Sequence, residues 1–231
     1  MVSRIVVASG NTHKIEELIA MIGRSNVGAV RALEVVPLGA LPFAPAPEIA
    51  ETAPDFVGNA LLKANGVAAW LREKGCADDD LVLADDSGLC VEALDGAPGV
   101  HSARFAGEQA DDGDNNAKLV AALQERELDA SPAHYVCVLA MRHVGTRPFD
   151  FTMPESEAVS IQDDCLCIEG RCHGKVRVAR QGEGGFGYDP HFWIDEDTRT
   201  FAELARGEKA VRSHRGSAMA KLMRELPLMV L

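Results

Sequence analysis

The chain has 231 residues, 47% of them hydrophobic and 25% charged, with a formal net charge of −12. That length can bury a sizeable core in one large domain or two small lobes. The acidic balance argues against a broad nucleic-acid-binding face, but leaves room for a small anionic ligand held by a few cations and backbone N–H groups. No apolar run approaches the roughly 20 residues that span a bilayer, and the first residues lack the layout of a signal peptide. A soluble, cytoplasmic protein is therefore expected. In such a compartment the six cysteines, Cys76, Cys90, Cys137, Cys165, Cys167 and Cys172, read as free thiols.

Residues 4–8 read as a strand and 13–23 as a helix, because Ile15, Leu18, Ile19 and Ile22 recur at helical spacing. Residues 35–54, rich in Pro and Ala, read as irregular. A second helix follows Asp55, with Phe56, Ala60, Val67 and Leu71 on its buried stripe and Lys63 beside that stripe. LVLA at 81–84 reads as a short apolar strand that runs into DDSG, and 97–107 as a loop punctuated by Gly and Pro. A helix is expected over 115–127 and strands over 135–144, 157–162 and 167–178, the last bent at its glycines. Thr200 and Glu203 have the spacing of a capping box. A final helix from about Ser213 is expected to bury Met219, Leu222, Met223 and Leu226. Strands alternate with helices early and cluster later, which points to an α/β fold with a mixed sheet.

Four stretches carry residues suited to chemistry. Ser9, Gly10 and Asn11 join the first strand to the first helix, with Lys14 one turn in. Such a turn serves either as a cradle for a phosphate at the helix N-terminus or as a plain N-cap. It lacks the Gly-Lys-Ser/Thr ending of a P-loop. Asp85 and Asp86 follow a buried strand, where they read either as oxygen ligands for Mg²⁺ or as an Asx-turn closing that strand. GGFGYDP at 184–190 offers Phe186 and Tyr188 either as a stacking surface for a planar base or as core aromatics in a turn. Lys209, Arg212, His214 and Arg215 cluster at what reads as a helix start, where the macrodipole prefers acids; they form either an anion site or a solvated basic face. A zinc site at Cys165, Cys167, Cys172 and His173 lacks the paired CxxC spacing, so packed thiols are expected there.

In this order SGNTHK at 9–14, NALLKA at 59–64, LADDSGL at 83–89, GAPGVHSARFAG at 96–107, GGFGYDP at 184–190 and KAVRSHR at 209–215 resemble the inosine triphosphate pyrophosphatase family. The resemblance implies an elongated mixed sheet flanked by helices, in a single domain of two lobes with a substrate cleft between them, and a homodimer. It implies Mg²⁺-dependent hydrolysis of ITP, dITP and XTP to the monophosphate and pyrophosphate. By the same resemblance, Ser9, Gly10, Asn11, Thr12, His13, Lys14 and Lys63 hold the triphosphate, and Asp86 is the general base and a metal ligand together with Glu51. Ser87 touches substrate, Phe186, Gly187, Tyr188 and Asp189 frame the base and sugar, and Lys209, His214 and Arg215 read the purine's O6 and its surroundings. No nucleic acid or membrane partner is implied. Gly58 stands where many relatives carry an acid, and His101 and Phe105 where tyrosines are frequent. The rivals are a pyrophosphatase for other modified nucleotides and a non-catalytic nucleotide-binding protein.

Overall fold

The computed structural model describes residues 4–24, 33–43, 45–148, 158–194 and 198–230, with side chains through Glu225. The fold is α/β, an open mixed sheet flanked by helices. The strands are β1 (Arg4–Ala8), β2 (Glu34–Pro37), β3 (Leu81–Val91), β4 (Ala130–His143), β5 (Val159–Gln162), β6 (Cys165–Arg177) and β7 (Phe192–Ile194). The helices are α1 (Thr12–Gly23), α2 (Phe56–Glu73), α3 (Asp112–Gln124), α4 (Arg206–Arg212) and α5 (His214–Val230). Strand order is β2-β1-β3-β4-β6-β5, with β7 also paired to β6. The chain divides into two compact units, Met1–Asp86, Val138–Gly170 and Ala218–Leu231 forming one, and Ser87–Cys137 and Arg171–Ser217 the other.

In the first unit β1 pairs in parallel with both β2 and β3, Ala8 standing opposite Ala84. Strands paired on both edges and covered on both faces lose all contact with water, so Ile5–Val7 and Leu81–Leu83 are uninterrupted apolar runs and fully buried. Asp55 caps α2 by accepting from the Gly58 N–H at 2.7 Å. The buried stripe of α2 is Ala60, Ala64, Val67, Ala68 and Leu71, with Asn59 and Leu61 beside it. At its end Arg72 donates to the carbonyls of Val144 and Gly145.

The second unit packs around aromatic rings. Tyr135 meets Phe192 edge-on at 4.7 Å and stacks on His214 at 4.6 Å between centroids. Phe192 and Phe201 are fully buried, each such ring worth roughly 1.5–3 kcal/mol of removed apolar surface. Thr200 and Glu203 form the expected capping box, each side chain bonded to the other's backbone.

Several elements differ from the sequence expectation. Glu34–Pro37 is a parallel edge strand, not irregular. β3 does not stop at Ala84 but continues through DDSG to Val91, so no Asx-turn closes it. Helix α3 begins at Asp112, three residues early, because Asp111 and Asp114 form a capping box. The strand expected over 167–178 runs continuously from Cys165 to Arg177. Gly174 admits β7: a Cβ there would lie 2.3 Å from the Trp193 carbonyl oxygen. Met219 and Leu222 are buried as expected and Met223 is half-buried, while the Leu226 side chain and Glu157 lie outside the described residues.

His191 and His143 are buried, and burial, ahead of other causes, holds both imidazoles below their usual value. The unfolded chain therefore takes up protons near pH 6.5 that the fold refuses, so stability falls as pH drops through 6.5 and levels off below the two folded values. Urea midpoints at pH 7.5 and 5.5 should differ less for His191→Asn, which retains a donor for the Arg177 carbonyl, than for the unaltered chain.

Candidate active site

In the first unit the first strand ends at Ala8 and the chain turns at once into α1. Asn11 is the N-cap, its side chain accepting from the Lys14 N–H at 3.1 Å, while its own N–H donates to the Ser9 hydroxyl at 3.2 Å. Gly10, Asn11, Thr12 and His13 are exposed, so the positive end of the helix dipole opens to solvent. The turn is thus an N-cap in local geometry and retains the layout of an anion cradle. One turn in, the Lys14 ammonium lies 2.7 Å from Asp85. From α2, Lys63 reaches Asp86 at 2.9 Å and Glu51 at 3.2 Å. Asp85 and Asp86 are therefore mid-strand carboxylates, buried and each met by a lysine from a different helix.

Burial raises the Asp86 carboxyl above its ordinary range, against the opposing pull of Lys63 and Lys14. For Lys63, burial works to lower the ammonium, but Asp86 and Glu51 outweigh it and the net shift is upward. Asp86 Oδ1 takes the lysine, whereas its Oδ2 is buried and has no hydrogen-bond partner among the described residues. A buried oxygen in that state calls for a cation or a polarised water. With Glu51 beside it, the donor set is all oxygen and suits a hard divalent cation that takes its remaining ligands from phosphates and water. Among the described residues no three His, Cys, Asp or Glu side chains gather as a metal cage.

In the second unit Lys209 pairs with Asp189 in the interior and lies 4.4 Å over the Phe186 ring. Asp189 also accepts from the Phe186 N–H at 2.9 Å, so one carboxylate fixes both the lysine and the loop. Gly185 turns with φ of +75°, and a Cβ on it would lie 2.0 Å from Asp189, which leaves room only for glycine. Arg215, 1% exposed, donates to the Ser87 hydroxyl at 3.0 Å. Tyr188 is a core residue whose hydroxyl donates to the Ser102 carbonyl at 2.8 Å.

Within the first unit, then, Glu51 and Asp86 share Lys63, and Lys14 from the start of α1 meets the adjoining Asp85. Within the second, Phe186, Asp189 and Lys209 form one cluster and Ser87 with Arg215 a pair. Lys209 and Arg212 do not start a helix: they occupy the last turn of α4, where cations are favoured, and Ser213 separates them from His214 and Arg215 on α5. Lys209, His214 and Arg215 are buried, which removes the reading of a solvated basic face for them. Asp85 was legible only as the neighbour of Asp86; its hold on Lys14 needed the β1–β3 register. Gly58 is fixed by packing, since a Cβ there would sit 2.5 Å from the Cβ of Ala53. None of the six cysteines forms a disulfide, and burial pushes Cys165 up to about 11 and Cys167 to about 12, the behaviour of packed, unreactive thiols.

A family model described as the Ham1 family matches residues 5–225, and the chain belongs to that family. A relative named dITP/XTP pyrophosphatase from Geobacillus kaustophilus is 40% identical over 218 residues, covering 94% of this chain and 91% of the relative. The structure of a HAM1 protein from Coxiella burnetii superposes with a TM-score of 0.76 at 32% identity, covering 99% of this chain and 100% of that one. A nucleoside-triphosphatase / dITP/XTP pyrophosphatase from Mycobacterium abscessus gives 0.63 at 35% identity, over 95% and 98% of the two chains.

Because Asp189 and Lys209 are both buried, removing one strands the other. Lys209→Met is expected to destabilise the fold by about 3 kcal/mol, read as a lower urea midpoint. The double variant Lys209→Met with Asp189→Leu should recover part of that loss.

Proposed function

We propose that the chain is a nucleoside-triphosphate pyrophosphatase that hydrolyses deaminated purine nucleotides, ITP, dITP and XTP, to the monophosphate and pyrophosphate. The observation that carries this reading is Asp86: a buried carboxylate, raised in proton affinity, with one oxygen on Lys63 and the other without a hydrogen-bond partner among the described residues. The relatives that are dITP/XTP pyrophosphatases by name support the substrate class.

In this reading the exposed start of α1 and the ammonium groups of Lys14 and Lys63 take the triphosphate. Asp86 and Glu51 would hold Mg²⁺, which when bound neutralises phosphate oxygens and acidifies a coordinated water. Asp86 orients a water and accepts its proton as the water oxygen bonds to the α-phosphorus. The bond from that phosphorus to its bridging oxygen breaks, and pyrophosphate leaves with its charge matched by the lysines. Phe186 offers a ring face to the purine, with Lys209 already set over that ring. A buried donor from Lys209, His214 or Arg215 facing O6 would reject adenine, which leaves such a donor unpaired. A cytoplasmic homodimer that clears the nucleotide pool completes the reading. Among the described residues no helix is long and apolar enough to cross a membrane.

The test is a panel of ITP, XTP, GTP, ATP and dUTP with Mg²⁺, measuring pyrophosphate and orthophosphate separately. Pyrophosphate from ITP and XTP, little from the others, and a loss of about 100-fold or more in Asp86→Asn are expected. Orthophosphate as the first product would refute attack at the α-phosphorus. Omitting Mg²⁺ should abolish turnover and restoring it should recover the rate.

A further inference from the structure

The segment from Gly184 to Tyr188 is gripped on one side by Asp189, which takes the Phe186 N–H. The same segment lines a cavity of about 440 Å³, together with Asp112, Asn116, Arg180, Glu183 and His191 among others. Packed core therefore does not back the loop there. Helix α3 supplies the support by gripping a single residue. The Gly187 N–H donates to Asp112 Oδ2 at 2.6 Å, and Asn116 Nδ2 donates to the Gly187 carbonyl at 2.9 Å. Asn116 Nδ2 also donates to the Asp112 carbonyl at 2.7 Å. Both partners are acceptors, so only the NH₂ end of the amide can face them.

Asp112 and Asn116 are four residues apart on one helix and so share a face. Gly187 has φ of +62° and Gly185 of +75°. A backbone of this kind has little conformational preference of its own, and its position depends on what holds it. The neighbouring Asn115 makes an equivalent grip on a second loop, donating to the Ala103 carbonyl and accepting from the Ala106 N–H.

We propose that Asp112 and Asn116 are positioning residues for the purine: by clamping the N–H and the carbonyl of Gly187 they hold the adjoining Phe186 ring where the base stacks. This rests on the activity proposed above and adds residues that never touch substrate. Their removal loosens the base end and leaves the phosphate end alone.

The experiment uses the full chain with Mg²⁺, and measures KM and kcat for ITP and the inhibition constant of inorganic tripolyphosphate, which has no base. Asp112→Ala and the near-isosteric Asn116→Asp, which turns a donor toward two carbonyls into a carboxylate, are each expected to raise KM about 5-fold with kcat within about 2-fold. Tripolyphosphate inhibition should stay unchanged, and Asp112→Asn, which keeps an acceptor for the Gly187 N–H, should bring KM back toward that of the unaltered chain. Unchanged KM in both variants overturns the proposal. So does a parallel loss of KM, kcat, tripolyphosphate inhibition and melting temperature, which marks general destabilisation. An unaltered chain that releases no pyrophosphate from ITP sinks the activity reading and this proposal together, whereas an active chain with indifferent variants sinks the proposal alone.

Discussion

Two consecutive carboxylates buried in the middle of a strand are the constraint on which the first unit depends. Taking even one ionised carboxylate out of water costs several kcal/mol unless cations and donors replace the lost hydration. Successive side chains on a strand point to opposite faces, so Asp85 and Asp86 cannot share one partner of that kind. Each has its own lysine, Lys14 from α1 and Lys63 from α2. The parallel register sets Ala8 against Ala84, so β1 has to end just where the acids begin. The tight passage from strand to helix at Ser9–Asn11 then puts Lys14 within reach of Asp85. Turn, helix start and lysine spacing all answer to the same pair of charges.

The second unit repeats the device with different parts. Asp189 is buried and fixes Lys209, and the same carboxylate pins the loop that carries Phe186. In both units an acid holds a cation in one rotamer before any anion or carbonyl arrives. A free lysine side chain would lose up to about 2 kcal/mol of rotamer freedom on being ordered by a ligand. These lysines have already lost it in the folded chain, where Asp85, Asp86 and Asp189 hold their ammonium groups in place.

Much of this was legible in the residues. The helical spacing of Leu18 and Ile22, the cap at Asp55 and the box from Thr200 to Glu203 are local signals, and they form as local physics directs. The failures occur where tertiary pairing overrides a local preference. Asp-Ser-Gly favours a turn, yet 85–88 stays extended because strand pairing and two lysines stabilise it there. EVVP and FWI are too short to show a strand period, and exist because β1 and β6 offer them edges. Tyr188 stands inside a motif that reads equally as a binding surface or as core aromatics, and the structure packs its ring in the core with its hydroxyl on the Ser102 carbonyl. The grip of Asp112 and Asn116 on Gly187 left no trace at all in the sequence. A side-chain bond to a backbone group 71 residues away places no demand on the type of residue that receives it.

The contact between Gly58 and Ala53 bears on how this chain could diverge further. The methyl group of Ala53 occupies the space that any side chain at position 58 would need first. A larger residue at 58 would share that volume with the Ala53 methyl, so the two positions are sterically coupled. Such a residue fits only together with a smaller one at 53 or a shifted turn, so a change at 58 calls for a matching change at 53.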